Sequence, residues 1–252
     1  MKKPNRYFIT TIVLAIVLVI SLATNVALYM QSHLYFTLHE QTILDPLGKD
    51  YYLQRDKPEV HAGKELVVFL GDSRALAWPA PESDRFVFAN RGVGWQTSAQ
   101  VLGRFADDIL PLQPDIIVIQ VGINDLTAIP NLPNRQRRII AHCKGNIQEL
   151  TDQAAAMDVT VILTTIFPVR RTLFPWQTFG SEEVVSSVDE VNQFIYSLAG
   201  ENVIVMDTGQ ILADPSGNMN SEYSLDTLHL NAQGYQVLNA SLSTILENIP
   251  HK

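Results

Sequence analysis

The run Ile116-Ile117-Val118-Ile119-Gln120-Val121 constrains this chain more than any other feature. A continuous β-branched stretch has no polar side to turn toward water, so it predicts a strand covered on both faces. Apolar runs at 65–70, 86–89, 159–166 and 203–207 read as four more strands. Between them apolar residues recur at helical spacing: Val101, Leu102, Phe105 and Ile109 behind a capping box of Thr97 and Gln100, then a helix over 138–157. Val184, Val188, Val191, Ile195 and Leu198 mark a third helix. Tyr235, Leu238, Leu242, Ile245 and Ile249 mark a last one, capped by Asn231. Alternating strands and helices argue an α/β fold, a mostly parallel five-stranded sheet with helices on both faces, which binds ligands beyond the carboxyl ends of its strands.

From Phe8 to Met30 the chain carries no charge over 23 residues. At about 1.5 Å per residue this run crosses a bilayer core of about 30 Å, so 8–30 is expected to be a transmembrane signal-anchor helix. Lys2, Lys3 and Arg6 precede it, whereas Glu40 and Asp45 come before Lys49, which places residues 1–7 in the cytoplasm and the remainder outside, in the periplasm or at the cell surface. A cleaved signal peptide is the competing reading, although the run exceeds an ordinary signal core and no clear small-x-small site follows. Residues 31–64, punctuated by Pro46, Gly48, Pro58 and Gly63, read as a juxtamembrane stalk or strap. Residues 65–252 then form one globular domain.

The formal net charge is −8, and with Lys2, Lys3 and Arg6 set aside the remainder carries −11. Such a body repels polyphosphate, which excludes nucleic acid as a partner. Cys143 is the only cysteine, so there is no intrachain disulfide and no cysteine zinc site; its spacing with Ile139, Ile140, Ile147 and Leu150 puts it on a buried helical stripe. The chain has no Gly-x-x-x-x-Gly-Lys-Ser/Thr loop, dinucleotide fingerprint or His-Glu-x-x-His, so neither cofactor nor metal is expected.

The chemistry-bearing residues fall at strand ends. Gly71-Asp72-Ser73 terminates the run Leu66–Leu70, and Asp226-Thr227-Leu228-His229 sets a carboxylate three residues from an imidazole. A serine hydroxyl needs a base to remove its proton, and the base works best when a carboxylate fixes its tautomer. Ser73 is therefore the candidate nucleophile, His229 the base and Asp226 its orienting acid. A serine after a strand can open the next helix, where free N–H groups and the helix dipole favour an oxyanion, and Asn124, after the third strand, can add its carboxamide. Taken singly, Asn124 also reads as a turn residue, Asp226 as a helix cap and His229 as a surface histidine.

Gly71-Asp72-Ser73, Asn90-x-Gly92, Gly122-x-Asn124-Asp125 and Asp226-x-x-His229, in that order, resemble the SGNH (GDSL) hydrolase family over residues 65–249. The resemblance implies a flavodoxin-like three-layer α/β/α sandwich, no metal, and ester or thioester hydrolysis through a serine acyl-enzyme. Its oxyanion donors would be the N–H of Ser73, a backbone N–H in the 92–95 turn and the Asn124 side chain. Here the sequence departs from the family: Trp95 stands where a second glycine is usual. Its N–H serves if its φ is negative and Gly94 takes any left-handed geometry, and its indole then lines the acyl pocket or packs under the turn. Arg170 and Arg171, ahead of Phe174, Trp176 and Phe179, make Arg170 and Trp176 candidate substrate contacts, unless they are a solvated pair on a packed loop. The expected function is a serine esterase at the outer face of a membrane, acting on an acyl lipid or an O-acetylated glycan. An O-acyltransferase using the same triad and a catalytically silent glycan-binding module are the alternatives.

Overall fold

The chain divides into two compact units, Met1–Pro46 and Leu47–Lys252. The structure, a computed structural model, describes residues 6–51, 58, 63–171 and 178–251. Trp176 and most of its loop lie outside the described residues.

Among its described residues the first unit is built on one helix, α1 (Arg6–Leu44), which has no buried residue. It is long and apolar enough to cross a membrane. It differs from expectation in continuing 14 residues past Met30. The apolar run ends near Met30, but no glycine or proline interrupts the chain before Pro46, so the backbone keeps its helical bonds although the side chains turn polar.

The globular unit begins at Leu47 rather than at 65. The Leu47 carbonyl accepts a 2.7 Å bond from Gln96 Nε2, and Lys49 pairs with Asp107. The unit is built on a five-stranded sheet of β1 (Glu65–Gly71), β2 (Phe86–Gly92), β3 (Ile116–Gln120), β4 (Thr160–Thr164) and β5 (Val203–Met206). Every pairing is parallel and the order is β2-β1-β3-β4-β5, the flavodoxin-like arrangement. Alternation along β1 assigns the two faces. Leu66, Val68 and Leu70 pack with α3 (Ser98–Ile109), α5 (Gln136–Ala155) and α6 (Glu182–Tyr196). Val67 and Phe69 pack on the other side with Trp78, Phe167 and α8 (Ala232–Glu247). Cys143 is fully buried on the α5 stripe, and burial pushes its thiol well above the ordinary range.

Two local expectations need correction. β2 runs on to Gly92, because Gly71 pairs with Gly92 and the strand stays in register through the stretch expected to turn. On α8, Leu246 is buried while Ile245, like Ile249 just past the helix, only borders the core.

Candidate active site

The chain leaves β1 toward β2 on one side and later returns to build β3 on the other, which opens a crevice beyond the carboxyl end of β1. Glycine permits the close packing there. A β-carbon on Gly71 would lie 1.8 Å from the Gln120 carbonyl oxygen, and one on Gly92 would lie 2.1 Å from Leu76 N. Past this neck Asp72 caps α2 (Ser73–Leu76) and accepts the Arg74 N–H at 2.9 Å. With a single turn, α2 offers free N–H groups but little macrodipole, so the dipole expected behind the nucleophile is largely missing.

The structure brings Ser73 to Asp226 and His229, which lie about 150 positions later in the sequence. Ser73 Oγ lies 3.0 Å from His229 Nε2, and His229 Nδ1 lies 2.8 Å from Asp226 Oδ2. The other carboxylate oxygen of Asp226 accepts the N–H groups of Leu228 at 2.7 Å and His229 at 2.8 Å, folding the loop so that carboxylate and ring face each other. Partial burial acts to raise the Asp226 carboxyl, but those two amides and the imidazole outweigh it and hold it below the usual carboxylate range. Asp226 thus shapes its own loop rather than capping a helix, while its other oxygen faces the imidazole.

Asn124, in α4 (Ile123–Leu126), donates one amide hydrogen to the Gln96 carbonyl at 2.9 Å, and a carboxamide has a second to give. The neighbouring Asp125 anchors α4 by accepting the Ser98 N–H at 2.7 Å and its hydroxyl at 2.6 Å. Burial raises the Asp125 carboxyl despite these bonds.

At Trp95 the structure reverses the condition set from the sequence. Trp95 takes the left-handed φ of +66°, and Gly94 does not have a positive φ. Gln96 is buried and locked by bonds to Leu47, Arg104 and Asn124, so the reversal falls on the residue before it. The indole is 75% exposed and does not pack under the turn. Arg170 is exposed, and its backbone N–H donates to the Thr227 carbonyl at 3.0 Å.

Sequence reasoning missed the supports. Arg74, fully buried, donates from Nε to the Leu228 carbonyl at 3.0 Å and from Nη1 to the Phe167 carbonyl at 3.1 Å. It thereby ties the residue after Ser73 to the residue before His229. Tyr235 of α8 holds the Arg74 carbonyl at 2.9 Å. Arg104, also fully buried, binds the Gly71 carbonyl at 2.9 Å and Gln96 Oε1 at 2.6 Å, and pairs with Asp108. Its signal was available: an arginine between Val101 and Phe105, on the buried side of an amphipathic helix.

Asp72 is fully buried, and its Oδ2 has no partner among the described residues. Burial pushes its carboxyl up to about 6, against the lowering pull of Arg74. The native state therefore binds this proton more tightly than the unfolded chain. The resulting stability is present in full below about pH 4 and is lost as pH rises through about 6. Asp72→Asn keeps the cap and removes the titration, so its stability relative to the parent is expected to rise between pH 4 and 7 by about 3 kcal/mol. Urea midpoints across that range check this, and a pH-independent difference would refute it.

A hydroxyl, an imidazole and a carboxylate in series at the switch point of an α/β/α sheet are the layout of a serine hydrolase acting on esters. The model of the GDSL-like lipase/acylhydrolase family matches residues 64–237, and the chain belongs to that family. No curated protein matches it in sequence. Among solved structures, a protein designated an acylhydrolase from Bacteroides fragilis is 24% identical, with 81% of this chain and 97% of that one covered and a TM-score of 0.64. A GDSL-like lipase from Bacteroides thetaiotaomicron is 22% identical, covering 79% and 95%, at 0.62. An acetylxylan esterase from Geobacillus stearothermophilus is 16% identical, covering 73% and 95%, at 0.58.

Proposed function

We propose that this esterase removes short acyl groups, acetate above all, from the hydroxyls of a glycan, through an acyl-enzyme on Ser73. The observation that carries the reading is the openness of the relay: the His229 and Asp226 side chains are 33% and 53% exposed, and the indole of Trp95, in the turn after β2, is 75% exposed. A long acyl chain needs an apolar channel, whereas acetate needs almost none. A flat exposed ring suits the apolar face of a sugar.

In this reading Ser73 Oγ adds to the ester carbonyl as His229 Nε2 takes its proton, and Asp226 holds the Nδ1–H and stabilises the imidazolium. The developing oxyanion is met by the Ser73 N–H and the second amide hydrogen of Asn124, each such donor being worth on the order of 10²–10³ in rate. The C–O bond to the sugar breaks as His229 returns the proton to the leaving alcohol. Water then attacks the acyl-serine with the same base. Arg170 and the indole of Trp95 are the proposed contacts for the sugar portion. The anchor reading supplies the location, with α1 in the membrane and the positive-inside rule placing the catalytic unit outside.

Rates on 4-nitrophenyl acetate, butyrate and octanoate, with Ser73→Ala as the blank, test the reading. kcat/KM is expected to fall at least about tenfold from acetate to octanoate, the loss of roughly 1.4 kcal/mol of transition-state binding. A flat or rising series would overturn the short-acyl assignment, and turnover retained by Ser73→Ala would overturn the serine mechanism.

A further inference from the structure

Beside Asn124 lies a groove of about 470 Å³, lined by Thr97, Asn124 and Asp125 and by Arg135, Arg138 and His142. Arg135 and Arg138 are exposed, and neither guanidinium makes an ion pair or hydrogen bond among the described residues. The only carboxylate lining the groove, Asp125, is already engaged by Ser98. These cations stand at the start of α5, where the helix dipole disfavours positive charge, so helix stability does not account for them. Unpaired guanidinium forks in a groove that Asn124 also lines match the planar oxygens of a carboxylate or phosphate.

We infer that this groove is a subsite for an oxyanion, a carboxylate or a phosphate, carried by the alcohol portion of the substrate, with Arg135 and Arg138 as its donors. The natural substrate is then an acetylated acidic glycan rather than a neutral one. The inference rests on the esterase reading, and the test separates the two.

Three acetylated probes that differ at one position are compared on the full-length protein in neutral detergent: a methyl glucuronoside with its free carboxylate, its uncharged carboxamide, and a methyl glucoside 6-phosphate. At low salt at least one charged probe is expected to show a KM about tenfold below that of the carboxamide, a gap that closes at about 0.5 M salt. The better charged probe identifies carboxylate or phosphate as the natural group. In Arg135→Gln/Arg138→Gln the ratio of charged to uncharged KM is expected to collapse toward one; because it is a ratio, partial loss of folded protein does not move it. Equal KM values in the parent, or a ratio unchanged in the double variant, would overturn the subsite. Arginine-dependent binding to anionic phospholipid micelles with no effect on the probe ratio would overturn it as well, in favour of a membrane-facing patch. If no probe is hydrolysed, the esterase reading fails by itself. Calorimetry of the unacetylated glucuronoside and glucoside 6-phosphate, with and without the two arginines, then decides the subsite alone: arginine-dependent binding supports it, and none overturns it.

Discussion

Ser73→Ala is expected to lower kcat on an acetyl ester by about 10⁶, Asp226→Asn alone by about 10⁴, and the two together by no more than Ser73→Ala. The non-additivity follows from the relay. Once the hydroxyl is gone there is no proton for His229 to take, so the carboxylate behind the imidazole has nothing left to assist. Asn at 226 keeps an oxygen for the amides of Leu228 and His229, which lie 2.7 and 2.8 Å from the present carboxylate, so the loop keeps its shape. What it loses is the anion facing His229 Nδ1 at 2.8 Å, and with it the preferred tautomer. Acetate release in stopped time courses, alongside thermal unfolding, checks both halves. A drop in stability that matches the drop in turnover would reduce Asp226 to a structural carboxylate.

Arg74→Met is expected to cost about 10² in kcat with little change in KM. The guanidinium touches no reacting atom. It holds the Leu228 and Phe167 carbonyls and sits with its charged carbon 5.2 Å from the centre of the Phe167 ring. Burial pulls it down to about 10, so it stays charged at neutral pH. Methionine fills similar volume but frees the chain before His229, and a displacement of about 1 Å between nucleophile and base is enough for a loss of that size. Arg74→Lys keeps the charge with a single ammonium in place of the two-pronged fork, and is expected to fall between the two. A KM rise equal to the kcat loss, or a Lys variant no better than Met, would show that Arg74 does not act by positioning His229.

Much of this was legible in the chain because it is local. β-branched runs announce buried strands whatever follows them. The blocks at 71–73, 122–125 and 226–229 report on their own turns. Asn90 illustrates where locality stops. As part of Asn-x-Gly it marked the site, but its work is to donate to the Ala75 carbonyl at 2.8 Å and accept the Gly92 N–H at 2.8 Å, tying β2 to α2. Such a role depends on which strand lies beside which. The same holds for Arg74 and Arg104, whose partners lie as far as 154 residues away. Trp95 was misjudged for a related reason, since its φ is set by the bonds that fix Gln96 rather than by its own preference. The helix beyond Met30 escaped because hydropathy sees side chains and helices persist through backbone bonds.

That left-handed tryptophan has an implication for anyone reshaping this protein. A β-carbon in that conformation is worth about 1 kcal/mol against folding, and an indole 75% in water recovers little of it by packing. Engineering for heat tolerance alone would therefore favour exchanging it for glycine, and a screen scored on melting would discard the ring. On the proposed glycan role, a screen scored on turnover of a polymeric glycan would be the one to retain it.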